Sequence, residues 1–164
     1  LTAQVAARAK PVVGAITAAN TAVAADAAAF VLVVSDRLAA GRRDAGTGLQ
    51  ILGGATLGGD PQEPGLAPVA AMRQVLRAAA INPDTIAIAE VMEAYAVQAI
   101  ACVAGANLPP DRVNVGGGAL ARGHPIGASG AILAVRLFHE LQQGFGLAAI
   151  AAAGGIGTAL LVAR

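Results

Sequence analysis

Short, continuous apolar runs alternate with helix-like segments along most of the chain. Three such runs carry β-branched residues between polar or glycine-rich borders, at 27–35, 85–91 and 147–153. Runs of this kind are typical of strands buried on both faces of a sheet. Helical periodicity is found between and after them, at 68–80, 93–106 and 128–143. The alternation predicts an α/β fold in which helices cover a sheet.

Glycine and proline mark where several elements end. Pro11 is expected to end a helix within the first ten residues, because proline cannot donate the backbone hydrogen bond that a helix requires. Residues 53–68 contain five glycines and three prolines, which predicts a loop after a strand that begins at Leu49. The last two apolar runs, 147–153 and 158–163, are expected to form antiparallel strands joined by a tight glycine turn.

The core has few large side chains available to it. Apolar residues make up 56% of the chain, which nevertheless contains no tryptophan, one tyrosine and three phenylalanines. Alanine, valine, isoleucine and leucine must therefore fill the core, which brings the elements close together. A length of 164 residues suits one domain. The high apolar fraction and the start at Leu1 predict half of a larger protein, or one partner in an assembly.

Charge and cysteine content argue against several classes of protein. The net charge is +1 and the arginines are scattered, so no basic stripe for nucleic acid is expected. One cysteine allows no internal disulfide, which favours a reducing, cytoplasmic compartment, and no cluster has metal-ligand spacing. The apolar stretch 145–163 is interrupted by glycines, so no membrane span is expected.

The run GGGALARGHPIGASG, residues 116–130, holds one of the two histidines. Its glycines allow close backbone approach, and Pro125 fixes the chain direction after His124. The helix that follows presents its positive end to the imidazole and disfavours the protonated form. A neutral His124 can act as a general base there. On these residues alone, the alternative is a tightly packed turn in which the imidazole only binds a carbonyl group.

Two other potentially reactive side chains, Cys102 and His139, are expected to have no catalytic role. Cys102 lies in the apolar run AIACVAGA and is interpreted as a small core residue rather than a nucleophile. His139 lies beside Glu140 on the polar side of a predicted helix, where solvent is expected to surround it.

Four stretches occur in order between Thr17 and Arg164. They are TAANTAVAADAAA at 17–29, the triplet EAY at 93–95, NVGGGALARGHPIGASG at 114–130, and GLAAIAAAGGIG at 146–157. These stretches resemble, respectively, the T-A-G-N…D-G-A-A segment, the N-E-A-F box, the G-H-P signature and the C-x-G-G-G-x-G turn of the thiolase family. Thiolases, which include acetyl-CoA acetyltransferases and 3-ketoacyl-CoA thiolases, make or cleave 3-oxoacyl-CoA. The chain resembles their C-terminal half.

The resemblance implies an architecture and partners. It implies a five-stranded mixed sheet with helices on both faces, packed against a similar N-terminal half. Residues 1–15 are then a remnant of a preceding helix or linker, and residues 16–164 the C-terminal domain. It further implies a dimer or other homo- or hetero-oligomer, and a role in lipid and fatty acid metabolism.

The resemblance also assigns roles to individual residues. His124 matches the histidine that activates a nucleophilic cysteine of the N-terminal half. The backbone N–H of Ala153 matches a donor to the oxyanion of the intermediate. Gly123, Gly127 and Gly154 match positions expected to lie against substrate. The implied substrate is an acyl-CoA thioester, with no further cofactor.

Three family features are missing from the chain. No cysteine matches the nucleophile. Met92 replaces the asparagine that holds a water in the first oxyanion hole, and methionine cannot hold that water. Ala151 replaces the second cysteine, which moves the α-proton in carbon–carbon chemistry. The chain alone is therefore expected to catalyse neither thiolysis nor condensation.

Three functions follow as alternatives. The first is half of a thiolase-like acyltransferase, with the nucleophile supplied by an N-terminal half or a partner chain. The second is a non-catalytic thiolase-fold subunit that binds acyl-CoA or supports an active partner. The third is a thiolase-like aldolase acting on an acyl-CoA side chain, for which the second cysteine is unnecessary. Retention of His124 favours surviving chemistry, whereas Met92 and Ala151 favour its loss or alteration.

Overall fold

The computed structural model describes residues 2–41 and 48–164. Its helices of four or more residues are α1 (Ala3–Ala7), α2 (Asp36–Ala40), α3 (Ala67–Ala78), α4 (Ala96–Gly105), α5 (Ala119–Arg122) and α6 (Ser129–Glu140). Its strands are β1 (Pro11–Val13), β2 (Ile16–Thr17), β3 (Gln50–Gly58), β4 (Ile86–Val91), β5 (Phe145–Ala152) and β6 (Ile156–Ala163).

The main sheet is mixed and has the strand order β3-β6-β5-β4. Strand β6 is antiparallel to both of its neighbours, β3 and β5, whereas β4 and β5 run parallel. Strands β1 and β2 form a separate antiparallel pair. The predicted α/β class and mixed sheet are confirmed. The strand number is corrected, because the main sheet has four strands in the described residues rather than five.

Helices cover both faces of this sheet, as expected. Helix α3 packs against β3 and β6, and with α4 it encloses a core that includes the fully buried Met72, Cys102 and Leu161. Helix α6 packs against β4 and β5 on the opposite face, where Leu137 and Leu141 are fully buried. Because successive side chains of a strand point to opposite faces, β5 contributes to both cores.

The strand predicted at 27–35 is not formed. These residues have no regular structure up to Ser35, which caps α2 by accepting a hydrogen bond from the Leu38 N–H at 3.4 Å. Phe30 is 89% exposed and Leu32 is 81% exposed. A strand requires a neighbour to take up its N–H and C=O groups, and no strand among the described residues pairs with this segment.

The loop predicted at 53–68 is wrong over its first third. Strand β3 continues through Gly58 because it pairs with β6 along its whole length. Its glycines suit close packing, since a Cβ at Gly53 would lie 3.4 Å from a methyl group of Val75 in α3. Pairing with a distant strand thus outweighs the weak strand preference of glycine.

Most local boundaries agree with the sequence. Helix α1 ends before Pro11, and α3 spans nearly all of the predicted helix. The hairpin of β5 and β6 is antiparallel around a turn at residues 153–155. Helix α4 begins at Ala96 rather than Glu93, because the two residues before it pair with the segment at 20–22.

Candidate active site around His124

His124 lies between α5 and α6 in extended backbone that runs alongside residues 23–25. Its N–H donates to the Val23 carbonyl oxygen at 2.7 Å, and it forms a parallel bridge with Ala24. The preceding Gly123 has a φ of +93°, and a Cβ there would lie 2.7 Å from the Cβ of Ala25. Both the backbone conformation and the space at position 123 therefore require glycine.

The imidazole of His124 is held at one nitrogen. Its Nδ1 lies 2.8 Å from the Oγ of Ser129, the first residue of α6, which is only 3% exposed. Partial burial lowers the pKa of His124 from its usual value. Since a lowered pKa favours the uncharged ring, the histidine is neutral at neutral pH and is able to accept a proton.

The segment before α4 is tied to the same backbone as His124. Ala22 N–H donates to Ala94 O at 3.0 Å, and Ala96 N–H donates to Asn20 O at 2.9 Å. Residues 20–25 thus contact the chain after Met92 at one end and His124 at the other. The structure brings together the stretches at 17–29, 93–95 and 114–130 that the sequence marked.

Met92 lies just beyond β4. Its N–H donates to Ala149 O at 2.9 Å, and its side chain is 4% exposed within the core beneath α6. A thioether is at most a weak hydrogen-bond acceptor. The side chain at this position therefore contributes to packing and offers no donor to an oxyanion or a water.

Glu93 links the end of β4 to the loop that carries His124. Its carboxylate accepts a hydrogen bond from the Asn114 side-chain amide at 2.6 Å and another from the Leu120 N–H at 3.0 Å. Asn114 in turn binds both backbone groups of Val91 at 2.9 Å. A Cβ at Gly118 would overlap the Glu93 carboxylate. This connection was not predicted. The sequence shows Asn114, the glycine run that follows it and Glu93, but it does not show that they lie together.

Ala151 and Ala153 lie in the β5–β6 hairpin. Ala151 pairs with Gly157 near the end of β5, and Ala153 is exposed in the turn with Gly154, whose φ is +83°. Because β4 and β5 are parallel, the segments that carry Met92 and Ala151 leave the same edge of the sheet. In the described part of the chain, no hydrogen bond joins this turn to His124.

A shallow, open cleft of about 520 Å³ lies beside the histidine loop. One wall is the segment that precedes α2, and the other is the turn into α6, including Gly127, which is exposed and has open space where a Cβ would lie. The lining residues are Ala25, Asp26, Ala27, Ala28, Ala29, Phe30, Pro125, Ile126, Gly127, Ala128 and Ala131.

A buried ion pair behind the site was also missed. Glu90 in β4 is fully buried, and Arg136 of α6 donates to it at 2.8 Å, with Arg122 at 4.0 Å. Burial raises the pKa of Glu90 to about 7, while Arg136 acts in the opposite direction. Arg136 also pairs with Glu140. The signal available in the sequence was a lone glutamate within an apolar strand.

The other reactive groups have the surroundings expected of them. Cys102 is fully buried, its Sγ donates to Gly65 O at 3.1 Å, and burial raises the pKa of its thiol. His139 is exposed and stacks edge-on against Phe138.

Within residues 2–41 and 48–164, no group of acidic, histidine and cysteine side chains is arranged to hold a metal ion. Nor does any described helix have the length and apolar character needed to cross a bilayer.

Comparison with known proteins places these stretches in one family. The family model described as "Thiolase, C-terminal domain" matches residues 48–164. YhfS of Bacillus subtilis (strain 168), provisionally named an acetyl-CoA C-acetyltransferase, is 44% identical over 94% of this chain and 44% of its own length.

Solved structures of thiolases resemble this chain in fold as well as in sequence. The acetyl-CoA acetyltransferase of Bacillus anthracis superposes with a TM-score of 0.92 at 32% identity, over 99% of this chain and 42% of that one. The Acat5 thiolase of Ascaris suum, solved in complex with coenzyme A, gives a TM-score of 0.82 at 36% identity, over 92% of this chain and 40% of that one. The chain spans less than half the length of these relatives. It belongs to the thiolase family, whose C-terminal domain it carries.

Proposed function

We propose that this chain works as the C-terminal half of a thiolase-like acyl-CoA acyltransferase and needs a nucleophilic cysteine from an N-terminal half or a partner chain. The observation that carries the proposal is the environment of His124. Its ring is kept neutral by burial and held at Nδ1 by Ser129, and Nε2 makes no hydrogen bond with the described residues. A neutral imidazole with an open nitrogen is suited to take a proton from a thiol.

The proposed chemistry is acyl transfer from coenzyme A to cysteine. His124 removes the proton of the incoming thiol, and the thiolate attacks the thioester carbonyl carbon. The backbone N–H of Ala153 donates to the oxyanion that forms, since a main-chain donor survives side-chain replacement. The carbon–sulfur bond to coenzyme A then breaks, and the leaving thiolate recovers the proton from His124.

The proposed substrate is an acyl-CoA thioester. Support comes from a relative solved with coenzyme A bound and from the cleft beside His124, to which Gly127 offers an unobstructed surface. We place Gly154 against the same substrate, because it is exposed and has open space where a Cβ would lie. The sequence also placed Gly123 there, but this glycine is buried against Ala25, so its part is to hold the histidine loop. No cofactor other than the coenzyme A thioester is part of the proposal.

Met92 and Ala151 limit the proposed chemistry to acyl transfer. Losing an oxyanion donor or a general acid/base typically lowers a rate by about 10² to 10⁴. Ala151 has no group that moves an α-proton, and Met92 holds no water for an oxyanion. We therefore propose that thiolysis and condensation are strongly impaired even when a cysteine is supplied.

The proposed partner is an N-terminal thiolase half or a homologous subunit, in a homo- or hetero-oligomer. Two observations support a partner that covers part of the surface. The apolar side chains of residues 30–33 are exposed, and YhfS is more than twice as long as this chain. We assign the assembly to lipid and fatty acid metabolism in the cytoplasm, in keeping with its substrate class and single buried cysteine.

A non-catalytic subunit is the second candidate. It is favoured by Met92, whose burial among the side chains beneath α6 makes it a packing residue, and by Ala151. Such a subunit would bind acyl-CoA or stabilise an active partner without using His124 as a base.

Labelling with acyl-CoA separates these two functions. The protein, assembled with the chain that supplies the cysteine, is incubated with radiolabelled acetyl-CoA beside a His124→Asn variant. We expect labelled cysteine in the parent and a rate lower by about 10² to 10⁴ in the variant. The parent rate should fall with decreasing pH only below the usual pKa of histidine, because burial lowers the pKa of His124.

Equal labelling of the parent and of His124→Asn would show that the histidine is structural. The non-catalytic function would then replace the catalytic one. A coenzyme A binding measurement on both proteins serves as the control, since loss of binding would lower labelling without any change in proton transfer.

A further inference from the structure

We propose that Ser129 is a positioning residue that fixes the tautomer of His124, with the proton on Nδ1 and the lone pair on Nε2. The proposal rests on the proposed function, in which His124 is the base, and it says which ring nitrogen receives the proton. Ser129 itself touches neither thiol nor thioester in this scheme.

The hydroxyl of Ser129 has one hydrogen to share between two neighbours. The Oγ of Ser129 lies 3.0 Å from the Pro125 carbonyl oxygen and 2.8 Å from Nδ1 of His124. A carbonyl oxygen only accepts, so the 3.0 Å separation between Oγ and that oxygen is favourable only when the hydroxyl donates to it. The one hydroxyl hydrogen is then committed to Pro125.

The hydroxyl orientation determines which ring nitrogen of His124 carries the proton. With its hydrogen committed, the Ser129 oxygen meets Nδ1 as an acceptor, which requires a proton on Nδ1. A neutral imidazole carries one ring proton, so Nε2 is left with a lone pair. The reverse tautomer would turn the Nδ1 lone pair towards the hydroxyl and draw its hydrogen away from Pro125, leaving two oxygens 3.0 Å apart with no hydrogen between them.

Burial and helix geometry make this arrangement firm. Ser129 is 3% exposed, so water has little access to replace either hydrogen bond. Pro125 lies in the turn that leads into α6, and the Ala128 and Ser129 N–H groups also donate to its carbonyl oxygen at 2.9 Å. The acceptor is therefore held in place by the backbone. Nε2 has no hydrogen-bond partner in the described residues and remains open to a thiol.

The test reads the tautomer directly. Nitrogen NMR of the ring distinguishes protonated from unprotonated ring nitrogens, and His139→Gln leaves His124 as the single histidine. Spectra are recorded well above the pKa of His124 for the parent, for Ser129→Ala and for Ser129→Thr, which keeps a hydroxyl.

We expect protonated Nδ1 and unprotonated Nε2 in the parent and in Ser129→Thr, and a mixed or reversed assignment in Ser129→Ala. A parent protonated on Nε2 would overturn the proposal. So would a tautomer that is unchanged in Ser129→Ala, with near-native folding confirmed by circular dichroism.

Activity provides an independent readout. The acyl transfer rate should fall about 10- to 100-fold in Ser129→Ala, comparable to the loss seen when a hydrogen-bond partner of a metal-binding histidine is removed. The apparent KM for acyl-CoA should stay unchanged, and Ser129→Thr should recover most of the rate. The tautomer measurement requires no activity, so failure of acyl transfer in the parent would count against the proposed function and not against the assignment of the ring proton.

Discussion

At the scale of single residues, Gly123 fixes how the histidine loop meets residues 23–25. A side chain at this position must adopt a φ of +93° and overlap Ala25. We expect Gly123→Ala to lower the free energy of unfolding by about 1–3 kcal/mol, the usual cost of a residue held in such a conformation. Urea unfolding measures the change.

Gly130→Ala is the matched control for Gly123. This glycine lies in α6 with open space around it and an ordinary helical φ. Alanine there should leave stability unchanged or raise it by about 0.5–1 kcal/mol. Equal losses for the two variants would contradict the account of Gly123.

Glu93 is the second residue whose contacts can be tested singly. Glu93→Gln keeps the size of the side chain but replaces one acceptor oxygen with a donor. Either Asn114 or the Leu120 N–H then loses its partner. We expect a loss of about 1–3 kcal/mol in unfolding free energy. The exposed Glu63→Gln is the control, and a loss of similar size there would refute the specific contribution of Glu93.

The sequence marked His124 because glycine and proline around a polar residue form a local pattern. The residues that support the histidine were not found in the same way. Ser129 lies five positions along the chain from His124, and Asn114 lies 21 positions from Glu93. Such contacts depend on how a loop folds back on the sheet, and no local periodicity encodes them.

At the scale of elements, the ion pair of Glu90 and Arg136 joins β4 to α6. Removing Arg136 leaves a buried carboxylate without its closest partner, which typically costs about 3–5 kcal/mol. Arg136→Met should therefore be strongly destabilised near neutral pH and above.

The cost of Arg136→Met should depend on pH in a definite direction. Burial raises the pKa of Glu90 from 4.5 to about 7, and loss of the arginine raises it further. The folded state then binds a proton that the unfolded state releases, so stability is retained below about pH 4.5 and lost as pH rises through the folded pKa. Urea unfolding at about pH 5 and pH 8 should show the smaller penalty at the lower pH. An equal penalty at both would contradict this, and Glu90→Gln/Arg136→Met is the control without the titrating group.

The elements that could be predicted from sequence are those with local signals. The amphipathic pattern gave α3 and α6, and the glycine turn gave the β5–β6 hairpin. Two predictions, a strand at 27–35 and a loop where the glycine-rich β3 lies, were wrong for the same reason. Whether an apolar or glycine-rich run becomes a strand depends on a partner strand elsewhere, which composition does not reveal.

At the scale of the whole molecule, one run of apolar side chains is exposed to solvent. Four consecutive apolar residues are each more than half exposed: Phe30, Val31, Leu32 and Val33. We expect the chain alone to self-associate, and to become monodisperse when the proposed N-terminal half or partner is added. Light scattering measures both states. A monodisperse monomer that binds no apolar dye would contradict this expectation.

The central claim is that His124 is a working base in a site that lacks the groups for carbon–carbon chemistry. The most direct measurement is condensation of acetyl-CoA by the assembled protein before and after Ala151→Cys/Met92→Asn, each with His124 intact and with His124→Asn. We expect strongly impaired condensation in the parent, a measurable gain in the double variant, and loss of that gain when His124 is replaced. Condensation in the unaltered parent as fast as in the double variant, or a gain that survives His124→Asn, would contradict this expectation.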